Sequence, residues 1–302
     1  MSEKNEMAIR RIIVPTDFSD LSEFAARSAA ALATPEGASI HLLHVIRLPF
    51  LHTTYDLNVP EAVWEGLRKG THERLAETRV KLEGLGVSDV HQIVSESLQP
   101  AEAIAHAVRE LDADLVVMAT HGRQALKHAV LGSVTERTLR TSPVPVLAVK
   151  EQDFGKSPIK RILFATDFSS HANQALSLAC SFAKKFGAHI DVIHVLDESP
   201  EYIKAISAEI VSFEKQARAM AGEHLEAVGG QVKDANLSTT IHLQEGRAVE
   251  MIASEAARLK SDLIVMGTHG HTGFAHVTLG SVAERTLRLA PCSVLTTRSQ
   301  EG

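Results

Sequence analysis

A glycine-spaced loop gives the chain its first chemical handle: Gly267-Thr-His-Gly270-His-Thr-Gly273-Phe-Ala-His-Val-Thr-Leu-Gly280-Ser281. An altered copy stands earlier, Ala119-Thr-His-Gly122-Arg123-Gln-Ala-Leu-Lys127-His-Ala-Val-Leu-Gly132-Ser133. Glycine lets a backbone approach a ligand closely or take φ > 0, and successive N–H groups can cradle an anion. Each Gly-Ser pair precedes a helical pattern, and a helix N-terminus supplies free N–H groups and a positive dipole end that suit a phosphate. Arg123 and Lys127 add positive charge to the first loop, whereas the second has His271 and no Lys or Arg between Gly267 and Ser281. A second pair of segments carries carboxylates, Thr16-Asp17-Phe18-Ser19 and Thr166-Asp167-Phe168-Ser169. Each piece has a plainer reading. Ser133-x-x-Glu136 and Ser281-x-x-Glu284 have the form of capping boxes, and Asp17 and Asp167 can equally serve as turn or N-cap residues.

The elements that must position these residues repeat too. Arg11-Ile-Ile-Val-Pro-Thr-Asp17 matches Arg161-Ile-Leu-Phe-Ala-Thr-Asp167, and Ile40-His-Leu-Leu-His44-Val45 matches Ile190-Asp-Val-Ile-His194-Val195. A repeat this long is a duplicated domain rather than a solenoid. The join falls in the polar stretch Glu151–Pro158. Short continuous apolar runs predict strands buried on both faces at Ile12–Val14, Ile40–Val45, Val90–Val94, Leu115–Met118 and Val144–Val149. Helical patterns alternate with them, over 21–32, 60–85, 101–111 and 133–140, then over 173–186, 201–228, 249–259 and 281–289. Such alternation predicts an open α/β domain in each half. Pro143, Pro145 and Pro291 mark the last strand of each copy as an edge, which invites pairing between the two domains. In an open parallel sheet a ligand sits beyond the carboxyl ends of the strands, where strand order reverses. If strands one and four are neighbours, Asp and glycine loop face each other across that crevice.

Composition narrows the function classes. With 31 Lys and Arg against 37 Asp and Glu, a net charge of -6 gives no sign of a nucleic-acid surface. No apolar signal core opens the chain and no run has membrane-spanning length, so a cytoplasmic location is expected. Cys180 and Cys292, placed on a helix and a strand of the second copy, suit reduced buried thiols. Histidines repeat at 44 and 194, 121 and 269, and 128 and 276, without HExxH or zinc-finger spacing, so no metal site is expected and structural or solvent roles are. No Walker loop or nucleophile elbow is present, and nothing nominates a general base for rapid hydrolysis.

At these residues the chain resembles the universal stress protein family in its tandem form. Nucleotide-binding members carry G-x2-G-x9-G-[ST] after the fourth strand, and Gly267, Gly270, Gly280 and Ser281 fit it at every position. The resemblance extends from about Ala8 to Arg298 and takes in the Thr-Asp-Phe-Ser segments, the His-Val strand ends and Glu245-Gly246. It implies two tandem open α/β domains, 8–150 and 159–302, each with a five-stranded parallel sheet of order 3-2-1-4-5 and helices on both faces. It also implies ATP, or AMP or ADP, with Mg2+, and dimer-like pairing through the fifth strands, within the chain or in a homodimer. By resemblance Ala165, Thr166 and Asp167 meet adenine and ribose, and Val195 lies against the base. Gly267 and Gly270 meet ribose and phosphates, Gly280, Ser281 and Val282 bind the phosphate tail, and Met266, His271 and Gly273 belong to the same site. The first copy offers Pro15, Thr16, Asp17, Val45, Gly122, Arg123, Gly132, Ser133 and Val134, with Ala119 in place of the first motif glycine. A Cβ there costs roughly 1–2 kcal/mol if the position needs φ > 0, or crowds the ligand if it needs close approach. The implied function is an ATP-binding stress-response protein, a nucleotide sensor or nucleotide-controlled adaptor with an unidentified protein partner. The alternatives are a nucleotide-independent scaffold and a slow ATPase or phosphotransfer enzyme.

Overall fold

The computed structural model describes residues 9–47, 60–120, 131–150, 159–197, 208–268 and 279–297. The chain divides into two units, residues 8–156 and 157–302. In the N-terminal unit the order is β1 (Arg11–Pro15), α1 (Asp20–Ala33), β2 (Ser39–Ile46), α2 (Glu61–Gly84), β3 (Val90–Glu96), α3 (Pro100–Glu110), β4 (Leu115–Ala119), α4 (Ser133–Thr141) and β5 (Val146–Val149). The C-terminal unit repeats it as β6 (Arg161–Ala165), α5 (Ser170–Phe186), β7 (His189–Leu196), α6 (Ala208–Asp234), β8 (Thr239–Glu245), α7 (Ala248–Leu259), β9 (Leu263–Gly267), α8 (Ser281–Leu289) and β10 (Ser293–Thr297). Among the described residues no helix is long and apolar enough to cross a membrane.

The strands form parallel sheets because each apolar run is covered on both faces. Ile12, Ile13, Val14, Leu115, Val116 and Val117 are buried, as are Ile162, Leu163, Phe164, Leu263, Ile264 and Val265. The N-terminal sheet runs β3-β2-β1-β4-β5 and the C-terminal sheet β8-β7-β6-β9-β10, so each unit has the expected 3-2-1-4-5 order. In the N-terminal unit α1 and α2 pack together on one face, and α3 and α4 pack together on the other. An aspartate just before the fourth strand fixes its partner. Asp114 Oδ2 accepts from the amides of Arg10 and Arg11 at 2.7 and 2.9 Å, and Asp262 Oδ2 does the same for Lys160 and Arg161 at 2.8 and 2.9 Å. Strand order therefore reverses between β1 and β4, and between β6 and β9, and the crevice the sequence called for opens there.

Several boundaries differ from the sequence reading, each for a stated cause. The strand expected from Val144 begins at Val146, because Pro143 and Pro145 have no amide to give; the Pro145 carbonyl still accepts from Val116 N at 3.0 Å. The helix expected to stop at Val228 runs on to Asp234, through Gly229 and Gly230. A Cβ on Gly229 would stand 3.0 Å from Ile241 Cγ2. Close packing of helix on strand thus overrides the breaker signal. Cys292 is buried one residue before β10, Cys180 lies half-buried on α5, and neither is in a disulfide.

A charged network unread in the sequence ties α7 to the C-terminal sheet. Asp191 is 0% exposed and takes Arg161 Nε at 2.6 Å and Nη2 at 3.0 Å. His242 stands between two carboxylates, Nε2 2.8 Å from Asp191 Oδ1 and Nδ1 3.1 Å from Glu255 Oε1. Glu255 in turn holds Arg258 Nε and Nη2 at 2.9 and 2.5 Å. The N-terminal unit has His41 at the place of Asp191, and burial holds the His41 pKa below its ordinary value. The hydrogen bond from Arg258 holds the Glu255 carboxyl below the usual range, against the opposing effect of burial. A carboxyl depressed in the folded state adds stability at neutral pH that is lost as pH falls through the folded value. Acid melting followed by circular dichroism should therefore show a loss that Glu255→Gln flattens; an unchanged pH slope in that variant would refute the assignment.

Candidate functional site

The turn after each first strand is built from its own sequence. Ser19 and Ser169 are the N-caps of α1 and α5, their hydroxyls accepting from Ser22 N at 3.2 Å and Ala172 N at 3.3 Å. Asp17 Oδ1 accepts from Ser19 N at 3.0 Å and Ser19 Oγ at 2.6 Å, and Asp167 repeats both distances with Ser169. The aspartates are thus turn residues that support the cap. Between them Phe18 and Phe168 sit at φ 61° and 65°, a region that a bulky L-residue occupies only when its surroundings hold it there. Those surroundings are a histidine from the second strand. His44 Nδ1 donates to the Thr16 carbonyl at 2.7 Å and its ring stacks on Phe18 at 4.4 Å; His194 donates to the Thr166 carbonyl at 2.8 Å and lies 4.3 Å from Phe168. The repeated histidines fasten the turn, a role their spacing alone did not show.

The glycine loops begin and end on fixed points. Gly132 N donates to the Thr120 carbonyl at 2.9 Å and Gly280 N to the Thr268 carbonyl at 2.8 Å, closing the base of each loop. Gly122, Arg123, Lys127, Gly270, His271 and Gly273 lie outside the described residues, as do His121, His128, His269 and His276. The capping-box expectation is corrected. The N-caps are Gly132 and Gly280, with no side-chain cap, and Ser133 and Ser281 stand one position inside their helices. The carbonyls of Gly132 and Gly280 accept the first helical bonds, from Glu136 N at 2.8 Å and Glu284 N at 2.9 Å. A serine inside the first turn cannot bridge back as a cap does, so among the described residues no side-chain cap bond holds the start of α4 or α8.

The left-handed argument about Ala119 is also corrected. Gly267 and Ala119 are the last residues of β9 and β4, paired with Thr297 and Val149 and absent from the positive-φ positions. Strand backbone accepts either residue, so what separates them is the space a methyl takes. Gly246 is one glycine that does need its freedom, at φ 130°, where it turns the chain from β8 into α7.

In the C-terminal unit these parts enclose a cavity of about 310 Å³. It gathers Ala165, Thr166 and Asp167 from the end of β6, Val195 from β7, Met266 and Gly267 from β9, and Gly280, Ser281 and Val282 from the start of α8. Sequence reasoning missed His194, Asp197, Thr268, Ala283, and Ala248 with Ile252 on α7, all of which line it. The repeated His194 was visible next to Val195; α7 carried no local signal, since only the sheet order brings it over β6 and β7. The wall is apolar around β6, β7 and α7, polar at Thr166, Asp167 and Asp197, and ends on uncapped amides. That combination suits a ligand with a flat apolar part, hydroxyl or amino donors, and an anionic tail. In the N-terminal unit Pro15 ends β1 and Thr16 and Asp17 follow it, Val45 lies on β2, Ala119 ends β4, and Gly132, Ser133 and Val134 open α4.

The sequence model of the universal stress protein family matches residues 8–150 and again 158–298. The chain belongs to the universal stress protein family. Similar relatives include a universal stress protein of Synechocystis, 26% identical over 313 residues, spanning 96% of this chain and 100% of that one. Another, from Methanocaldococcus jannaschii, is 34% identical over 147 residues, 47% of this chain and 83% of the relative. Among solved structures, a universal stress protein of Archaeoglobus fulgidus superposes with a TM-score of 0.73 at 22% identity, covering 98% of both chains. That likeness shows the tandem α/β fold of both halves.

Proposed function

We propose that the chain is an adenine-nucleotide-binding, cytoplasmic stress-response protein whose C-terminal unit holds the ligand, and that it acts as a nucleotide sensor or nucleotide-controlled adaptor for a protein partner. The observation that carries this reading is the convergence, in one cavity at the strand-order reversal, of the Asp167 turn, the Gly267 strand end and the uncapped start of α8. Thr166, Asp167 and Val195 would meet base and ribose, and the amides from Gly280 through Val282 the phosphates. ATP is the first candidate, with ADP and AMP in the same class. Among the described residues no Arg or Lys lines the cavity, while Asp167 and Asp197 do. Charge on a phosphate tail would therefore be offset by helix amides and by the Mg2+ that accompanies the nucleotide, which supplies charge neutralisation there.

Denaturing gently purified protein should release adenine nucleotide, and titration of the stripped protein with ATP and Mg2+ should give binding heat. Protein that releases none and gives no heat would not fit this reading. A nucleotide-independent scaffold is the second reading, favoured by Ala119 in the N-terminal unit. Partner capture that is indifferent to added nucleotide would favour it.

A further inference from the structure

The two halves are an internal comparison of one fold, and they differ in charge where the third helix of each unit meets the fourth. In the N-terminal unit α3 and α4 pack together, and Arg137 Nη1 donates to Gln99 Oε1 at 2.9 Å. Gln99 is the N-cap of α3 and Arg137 the fifth residue of α4. In the C-terminal unit α7 and α8 pack in the same way; the N-cap of α7 is Arg247 and the fifth residue of α8 is Arg285. A donor and an acceptor in one half are thus two guanidiniums in the other. Neither is tied down. Arg247 is 88% exposed and lies 3.7 Å from Glu250 Oε1, too far for a hydrogen bond, and the Arg285 side chain has no partner among the described residues. Cations set side by side repel, and an anion between them turns that repulsion into attraction.

Their place points to the anion. Arg247 adjoins Ala248 and Arg285 follows Val282 by three residues, and both Ala248 and Val282 line the cavity. Residues three apart share a helix face and helical side chains lean toward the N-terminus, so Arg285 extends back over Val282 toward the opening. The bond from Arg137 to the cap of α3 shows that an arginine at this place reaches the neighbouring helix start.

We propose that Arg247 and Arg285 clamp the outer phosphates of a nucleotide at the mouth of the C-terminal cavity, so that this unit holds a nucleoside triphosphate more tightly than a monophosphate. This rests on the nucleotide reading above and deepens it by naming the residues that distinguish ATP from AMP. Base, ribose and first phosphate are common to both ligands, and the cavity wall with the opening amides of α8 serves them alike. Only the outer phosphates add charge, and a guanidinium meets a phosphate through two parallel hydrogen bonds.

Calorimetry of the full chain with ATP and with AMP, each with Mg2+, reads the clamp as a ratio of two affinities. The parent should favour ATP by about tenfold to a hundredfold. Arg247→Gln recreates the Gln and Arg pair of the N-terminal unit and should cut that ratio about threefold to tenfold, as should Arg285→Gln. Both side chains are exposed, so circular dichroism and melting should match the parent. Added salt should narrow the ratio in the parent more than in the double variant. Equal affinities in the parent, or a ratio that either variant leaves unchanged, would overturn the inference while the nucleotide reading stands; affinities for ATP and AMP that fall together count as an unchanged ratio. No heat with either nucleotide in the parent would remove the nucleotide reading and this inference with it.

Discussion

Replacing Asp191 by alanine is expected to destabilise the C-terminal unit by about 3–5 kcal/mol, the range for breaking one side of a buried ion pair. Asp191 is fully buried and holds two hydrogen-bonding neighbours, the Arg161 guanidinium through two hydrogen bonds and His242 through a third. Without it, Arg161 loses a bidentate partner and His242 keeps Glu255. The Arg161 side chain is 36% exposed and can recover some hydration, which places the loss toward the lower end of that range. The network also sets how α7 lies on the sheet, and α7 brings Ala248 and Ile252 to the cavity. Loss of Asp191 should therefore lower ligand affinity as well as stability. Denaturant unfolding measures the first, and hydrogen exchange resolved by peptide assigns it to residues 157–302. The comparison is His41→Ala in the N-terminal unit, whose side chain stacks on His91 at 4.7 Å and binds Ser39 Oγ at 3.1 Å. A neutral ring has less to lose, so its effect should be smaller. A loss below about 1 kcal/mol in Asp191→Ala would show that the network is replaceable.

What could be read in advance was what local chemistry writes. Unbroken runs such as Ile12–Val14 and Leu115–Met118 have no alternation because both faces of a parallel strand are covered, so class and element order were legible from the residues. The repeat then doubled each reading. What could not be read depends on which strands become neighbours. Asp191, His242 and Glu255 are distant in sequence, and only the registers of β6, β7 and β8 and the seat of α7 bring them within hydrogen-bond reach. Helix ends failed in a related way. Ser281-x-x-Glu284 has the letters of a capping box, yet Gly280 takes the cap because its amide is already tied to Thr268 at the base of the loop. The helix expected to end at Val228 continues through Gly229-Gly230, where the bare backbone passes close to Ile241. In each case a tertiary contact outweighed a local preference of about 1 kcal/mol.

Gly280→Val should cut affinity for ATP with Mg2+ by about a hundredfold while leaving the fold intact, a pairing of effects that follows from the backbone. Gly280 sits at φ -58° and ψ 138°, where a β-branched residue is at ease, so the substitution adds no backbone strain. Its cost falls on the cavity. Gly280 lines it beside Ser281 and Val282, at the opening turn whose amides have no side-chain cap. An isopropyl group there would hold an anion away from those amides and forfeit both contact and close approach, together about 3 kcal/mol. Gly267→Ala makes a milder version, adding at the end of β9 the methyl that Ala119 already carries at the end of β4. About tenfold is expected for it, from one methyl at a strand position whose φ needs no glycine. Calorimetry on both variants separates two origins of any loss. If affinity falls while melting and circular dichroism stay with the parent, the glycines serve the ligand. If melting falls in step with affinity, they serve the packing of α8 on its sheet, and the nucleotide reading loses the support of the motif. Partner capture that survives Gly280→Val unchanged would point to the scaffold reading, because an adaptor governed by nucleotide must respond when its nucleotide is lost.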